Sequence, residues 1–138
     1  MSTMTLARGE MGAARLGILA VLSLGAAAIH FAVVPEHLAE WWAFGVFFGA
    51  LGAFETLWAA ALLVRPSRLV IAIGIAANVA TVLLWAVSRT VGLPIGPEPW
   101  MPEEIGVLDV AATSLELLLV AGLAIGVGRS RRPGAAGS

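Results

Sequence analysis

His30, Glu55, Asn78 and Glu116 stand out because each lies inside a long apolar stretch of this chain. An ionisable side chain in hydrocarbon costs about 3 kcal/mol or more unless it is paired or wetted, so such residues mark a site by default. Together they supply one imidazole nitrogen and several oxygens. Three chemistries suit that set. His30, Glu55 and Glu116 could hold a divalent transition metal. Asp109, His30, Glu116 and Glu55 could pass a proton along a line of titratable groups. The same groups could anchor a small amphipathic molecule in a lined pocket.

Other chemistries are excluded or narrowed. No Glu-x-x-His pair of the di-iron bundle type is present, and His30 and His37 lie seven residues apart on one segment, which rules against a bis-histidine haem. No tightly held cofactor is predicted. The chain has no cysteine, which excludes disulfides, thiolate metal sites and dithiol relays. With no tyrosine and no nucleophile beside a base, the one enzymatic reading is acid–base work of the isomerase kind on a membrane-dissolved substrate.

The elements that must position these residues are four apolar runs, Leu16 to Val34, Trp41 to Val64, Leu69 to Ser88 and Ile105 to Gly128. Each is close to the roughly 20 residues a helix needs to cross about 30 Å of hydrocarbon. Hydrophobic residues make up 59% and charged residues 12%, against about 45–50% and 25% in soluble domains. The fold class expected is all-α, a four-helix transmembrane bundle. Residues 15–129 form its single domain, between tails at 1–14 and 130–138 that are expected to be disordered. The lipid bilayer is the first partner, and nothing points to nucleic acid.

Charge sets the orientation. Arg8 and Arg15, Arg65 and Arg68, and Arg129, Arg131 and Arg132 alternate with acidic segments, so the positive-inside rule places both termini and the Arg65–Arg68 turn in the cytoplasm of a bacterial inner membrane. The segments with Glu36 and Glu40, and with Glu98, Glu103 and Glu104, then face out. Arg8 and Arg15 before an apolar stretch and Ala26 to Ala28 also allow a cleaved secretory signal. The apolar stretch runs on to Val34, long enough to span, and favours a retained helix.

Local signals refine the elements. Pro35 is expected to close the first helix, leaving a turn from Glu36 to Glu40 that leads into Trp41 and Trp42. Ser67 is placed to cap the third helix. The outer connection, 89–104, holds Pro94, Pro97, Pro99 and Pro102 and is expected to form a folded cap, with Glu103 and Glu104 favouring the positive N-terminus of the fourth helix. Trp41, Trp42 and Trp100 read as interface anchors.

At 100° per residue, Asp109, Thr113 and Glu116 share a face, and so do Asn78, Thr81 and Trp85. Counting 1.5 Å per residue from the cytoplasmic arginines puts Glu55 and Asn78 about 15 Å deep, His30 and Glu116 about 20 Å, and Asp109 about 30 Å. Each helix thus delivers one polar group to a middle layer. Ser88, Arg89 and Asp109 form an outer layer, where guanidinium and carboxylate can pair. The expectation is a polar cavity opening outward, with Thr81, Trp85, Ser88, Arg89 and Thr113 as secondary lining, used for a small ligand or for part-way conduction of a proton or cation.

A second reading keeps these groups as interhelical hydrogen bonds that hold helices together. In it the chain is a structural or assembly subunit, and Gly45, Gly49 and Gly52 form a small-residue stripe on which a second copy or a membrane-protein partner packs.

Two motif groups carry a resemblance. Gly25 to Phe31 with Val34-Pro35, followed by Gly49-x-x-Gly52-x-x-Glu55 and a Leu-Leu ending before Arg65-Pro66, resembles the start of the DoxX-like four-helix membrane proteins. That resemblance implies a four-helix bundle associated with membrane redox systems and carries over only His30 and Glu55. The second half, with Trp85-x-x-Ser88-Arg89-Thr90-x-Gly92-x-Pro94-x-Gly96-Pro97 and Pro102-Glu103-x-x-Gly106-x-x-Asp109, departs from that pattern. It is similar to small membrane proteins of high-GC bacteria.

Overall fold

The computed structural model describes residues 12–130, and the tails at 1–11 and 131–138 lie outside the described residues. The described chain holds α1 (Ala13–Glu40), α2 (Trp42–Val64), α3 (Arg68–Thr90) and α4 (Val107–Ser130). Each is long and apolar enough to cross a membrane. Large side chains such as Leu57, Leu69, Leu83, Leu118 and Ile125 remain exposed on their outer faces, an apolar belt that hydrocarbon tolerates and water does not. The chain is therefore read as a multi-pass membrane protein.

Pro35 does not close the first helix, as its residue type suggested. It lies inside α1, which continues to Glu40. A helical proline forfeits its N–H bond and crowds the carbonyl four residues back, yet a helix in lipid continues where the freed groups find partners. Here the His37 ring nitrogen Nδ1 lies 2.8 Å from the Val33 carbonyl, and the Trp41 N–H donates to the His37 carbonyl at 2.9 Å. One extended residue, Trp41, then joins α1 to α2. At the other end of α2 the chain turns at Arg65–Ser67, where the Ser67 hydroxyl accepts from the Val70 N–H at 3.2 Å and caps α3.

The helix N-termini alternate between the two ends of the bundle. At the end holding the α2–α3 turn, here the closed end, Leu16, Leu19, Trp58, Leu62, Ile71, Leu119 and Leu123 form a dense core. Gly74 lets the Trp58 ring lie flat on α3, since a Cβ there would sit 2.2 Å from the indole. The Trp58 N–H is satisfied by the Val70 carbonyl at 2.7 Å. The Gly45–Gly49–Gly52 stripe faces α1, where Leu38 and Phe31 occupy the space over Gly45 and Gly52. That face is used within the chain, so a partner cannot take it without displacing α1.

At the opposite end the α3–α4 connection folds over the bundle. Gly92, at φ 77°, passes so close to the backbone of Trp100 and Met101 that no side chain fits, and the Trp100 N–H donates to the Leu93 carbonyl at 2.7 Å. The fourth helix begins at Val107 and not at Ile105. Its start is set by Asp109, whose carboxylate accepts the Gly106 N–H at 2.9 Å, half of a capping box. Glu103, expected to serve that helix N-terminus, is drawn instead to Arg89.

Candidate ligand cavity

The helices are unevenly apart. α1 packs along α2 and α4, and α3 along α4, whereas α2 and α3 meet only briefly. Their contact is anchored at the closed end by Trp58 over Gly74. Toward the other end lies a cavity of about 390 Å³ lined by all four helices, with α2 and α3, which touch least, on its loosest side.

Its walls are mainly apolar and aromatic. α2 contributes Phe44, Phe47 and Phe48, α3 contributes Leu84 and Trp85, and Trp41 closes one side. The phenylalanines at spacings of three and four fall on one helix face. Trp41 packs edge-on to Phe44 at 5.0 Å between centroids, so this residue, read from the sequence as an interface anchor, serves as cavity wall. Trp42 and Trp100 remain exposed. Leu93, Pro94 and Ile95 of the α3–α4 connection line its loop end.

The polar groups fall into three sets. At the cavity base, His30 Nε2 lies 2.9 Å from Glu116 Oε1, with both side chains almost wholly buried. Thr81 and Thr113 line the same region, though the Thr81 hydroxyl is committed to the Ala77 carbonyl. Phe48 stands over this base, 5.9 Å from the His30 ring and 4.2 Å from His37.

At the loop end, Arg89 is forked between two carboxylates. One guanidinium nitrogen donates to Asp109 Oδ2 at 2.6 Å and the other to Glu103. Ser88 is buried there, its hydroxyl donating to the Trp85 carbonyl at 2.8 Å while its own carbonyl accepts the Glu103 N–H at 3.0 Å. The connection is thus clasped to α3 by both backbone and side chain.

The third set lies behind the base. Glu55 and Asn78 do not line the cavity. The Ser23 hydroxyl donates to the Glu55 backbone carbonyl at 2.9 Å and also meets its carboxyl group. Asn78 lies beside the same carboxyl, and His30 and Glu116 are within electrostatic reach of it. Asn78 donates to the Gly74 carbonyl at 2.9 Å, leaving its own oxygen and Glu55 Oε1 without partners. Beneath them begins the Leu–Trp core, beside which the Arg15 guanidinium donates to the Gly122 carbonyl.

The four middle-layer residues are therefore split into an exposed-to-cavity pair and a sealed pair. Ser23 joins the sealed pair although the sequence reading passed over it. Its signal was the seven-residue spacing to His30, which puts both on one face of α1. Among the described residues no three His, Asp or Glu side chains are gathered as a metal ion requires, and His30, Glu55 and Glu116 form no such group. The donor set favours hydrogen bonding and proton exchange over coordination.

Comparison with protein-family models, curated proteins and solved structures finds no match to this chain.

Proposed function

We propose that this protein binds a small amphipathic molecule in the cavity between α2 and α3, with the His30–Glu116 pair as its polar anchor. The observation that carries this is the placement of a buried acid–base pair at the base of an aromatic-walled space. Ligand sites combine mainly apolar lining with a few convergent polar groups, and an intramembrane ionisable pair is a functional hypothesis by default. His30 and Glu116 can also take up or release a proton as the ligand comes and goes, with Glu55 as a neighbouring store. The Leu–Trp core beneath Glu55 supports a relay that ends there over one that crosses the bundle.

The protein sits in the bacterial inner membrane, with both termini and the Arg65–Arg68 turn cytoplasmic and the cavity in the outer half. Its membership of the DoxX-like group is proposed on the motifs around His30 and Glu55.

The test is native mass spectrometry, a visible spectrum and metal analysis of protein purified in mild detergent, repeated on Glu116→Gln. The expected result is a stoichiometric small molecule on the wild-type chain that the folded variant loses. A wild-type protein that is empty, or a variant that keeps the same molecule, contradicts the reading. A second reading, a subunit whose polar groups serve helix association, is favoured by Ser23 and Glu55, which bond across α1 and α2, and by Asn78 beside them, none of which lines the cavity. A native complex with another membrane protein, lost when Glu55 is replaced, is its signature.

A further inference from the structure

Resting on the reading of the cavity as a ligand site, the geometry points to the class of ligand and its route. We infer that the cavity takes a neutral, membrane-dissolved molecule carrying a carbonyl oxygen, admitted sideways from the lipid between α2 and α3.

The route follows from the walls. Phe47 on α2 and Leu84 on α3 both line the cavity, and each remains 38–39% exposed. They are the two lips of the seam where α2 and α3 diverge. In a spanning bundle that seam faces hydrocarbon, whereas the loop end is crossed by Leu93, Pro94 and Ile95. A ligand dissolved in lipid meets only apolar side chains on the way in.

The charge follows from the loop-end cluster. Among the described residues Arg89 is the one arginine lining the cavity, beside His30, which is paired with Glu116, and His37, and it is matched against two carboxylates, Asp109 and Glu103. That cluster carries a formal surplus of negative charge, so an anionic headgroup finds no free cation and meets repulsion. An ammonium headgroup competes with Arg89 for the same carboxylates, and it brings further donors to a site whose unpaired buried atoms, Trp85 Nε1 and Arg89 Nε, are donors themselves. A neutral ligand incurs neither cost.

The oxygen follows from what is unpaired. Trp85 Nε1 and Arg89 Nε are buried without hydrogen-bond partners, the Arg89 side chain being only 9% exposed, and both residues line the cavity one helical turn apart. Both atoms are donors only. Buried donors left unmatched are costly, and an acceptor that donates nothing, a ketone or ester carbonyl, answers both. The ligand's apolar body then lies along Phe44, Phe47 and Phe48.

The experiment uses full-length protein in lipid nanodiscs titrated with three probes of equal chain length: methyl nonyl ketone, undecanoate and undecylammonium. Binding is read by native mass spectrometry. Wild-type protein should bind one ketone saturably and neither ion. Trp85→Phe keeps an aromatic ring, though a smaller one, and removes the N–H, and should weaken ketone binding about three- to tenfold, the worth of one hydrogen bond. Leu84→Trp, which crowds the seam, should slow ketone uptake without lowering thermal stability. Equal or tighter binding of either ion, unchanged affinity in Trp85→Phe, or wild-type uptake in Leu84→Trp each overturns the inference while leaving a ligand site standing. Failure of every probe on wild-type protein that also purifies empty removes the ligand site itself.

Discussion

The two ends of this bundle solve the same packing problem differently. At the closed end, large side chains meet small ones: Trp58 lies on Gly74, and Leu19 presses close to Gly122. Helices in lipid gain little from hydrophobic transfer and depend on such contact. At the loop end, α2 and α3 are held apart by aromatic rings around a space of about 390 Å³. That space is kept open by clasping the connection to α3 through Arg89, Glu103, Asp109 and Ser88. One end spends its residues on cohesion and the other on room. A bundle selected only for stability has no reason to maintain the second, and this is why the cavity reads as a site.

The largest effect expected from disturbing the closed end is that of Trp58→Ala. It removes the ring over Gly74 and its bond to Val70, and should cost about 3–4 kcal/mol, measured by denaturant-induced unfolding in mixed micelles. Gly74→Val attacks the same contact from the other side. Its Cβ falls inside the indole, and a loss of about 2 kcal/mol is expected in the same assay.

The sealed polar group sharpens the contrast. Glu55→Leu deprives Ser23 and Asn78 of their neighbour and should cost about 1–3 kcal/mol. Glu55→Gln should be neutral or slightly stabilising, because its amide can answer the unpaired Asn78 oxygen while its carbonyl keeps Ser23. Neither change should alter ligand occupancy much, whereas Glu116→Gln should do the reverse, losing ligand with stability nearly intact. If Glu55→Gln empties the cavity as fully as Glu116→Gln does, the sealed and lining groups act as one site and the division fails. The smallest expected effect on folding is at the seam: Phe47→Ala should change stability by less than about 1 kcal/mol, with faster ligand exchange in a native mass spectrometric chase.

The number, order and approximate span of the helices were legible in the sequence because hydrocarbon imposes a length and a polarity that arginines and apolar runs record directly. The buried groups were legible too, since an Asn or Glu within such a run has few places to go. What was not legible depends on rotation and spacing between helices. Nothing in the pattern around Pro35 showed that α1 would continue to Glu40, because its continuation relies on His37 and Trp41 meeting backbone groups. The depth count put His30, Glu55, Asn78 and Glu116 in one layer, but which pair meets the cavity depends on how the helices rotate against one another, which a depth count does not hold. The glycine stripe showed that some helix packs on α2. That the helix is α1 follows from Leu38 and Phe31, whose orientation no periodicity reveals.

The most direct measurement fills the cavity. In Ala43→Phe/Ala112→Phe, both added rings project from residues that line it, and ligand occupancy is read by native mass spectrometry beside the unfolding transition. If the space is maintained for a ligand, the double variant should lose the bound molecule while remaining as stable as wild type or becoming more so. Retention of the same molecule at wild-type occupancy in a folded double variant would contradict the account, since the ligand would then bind elsewhere.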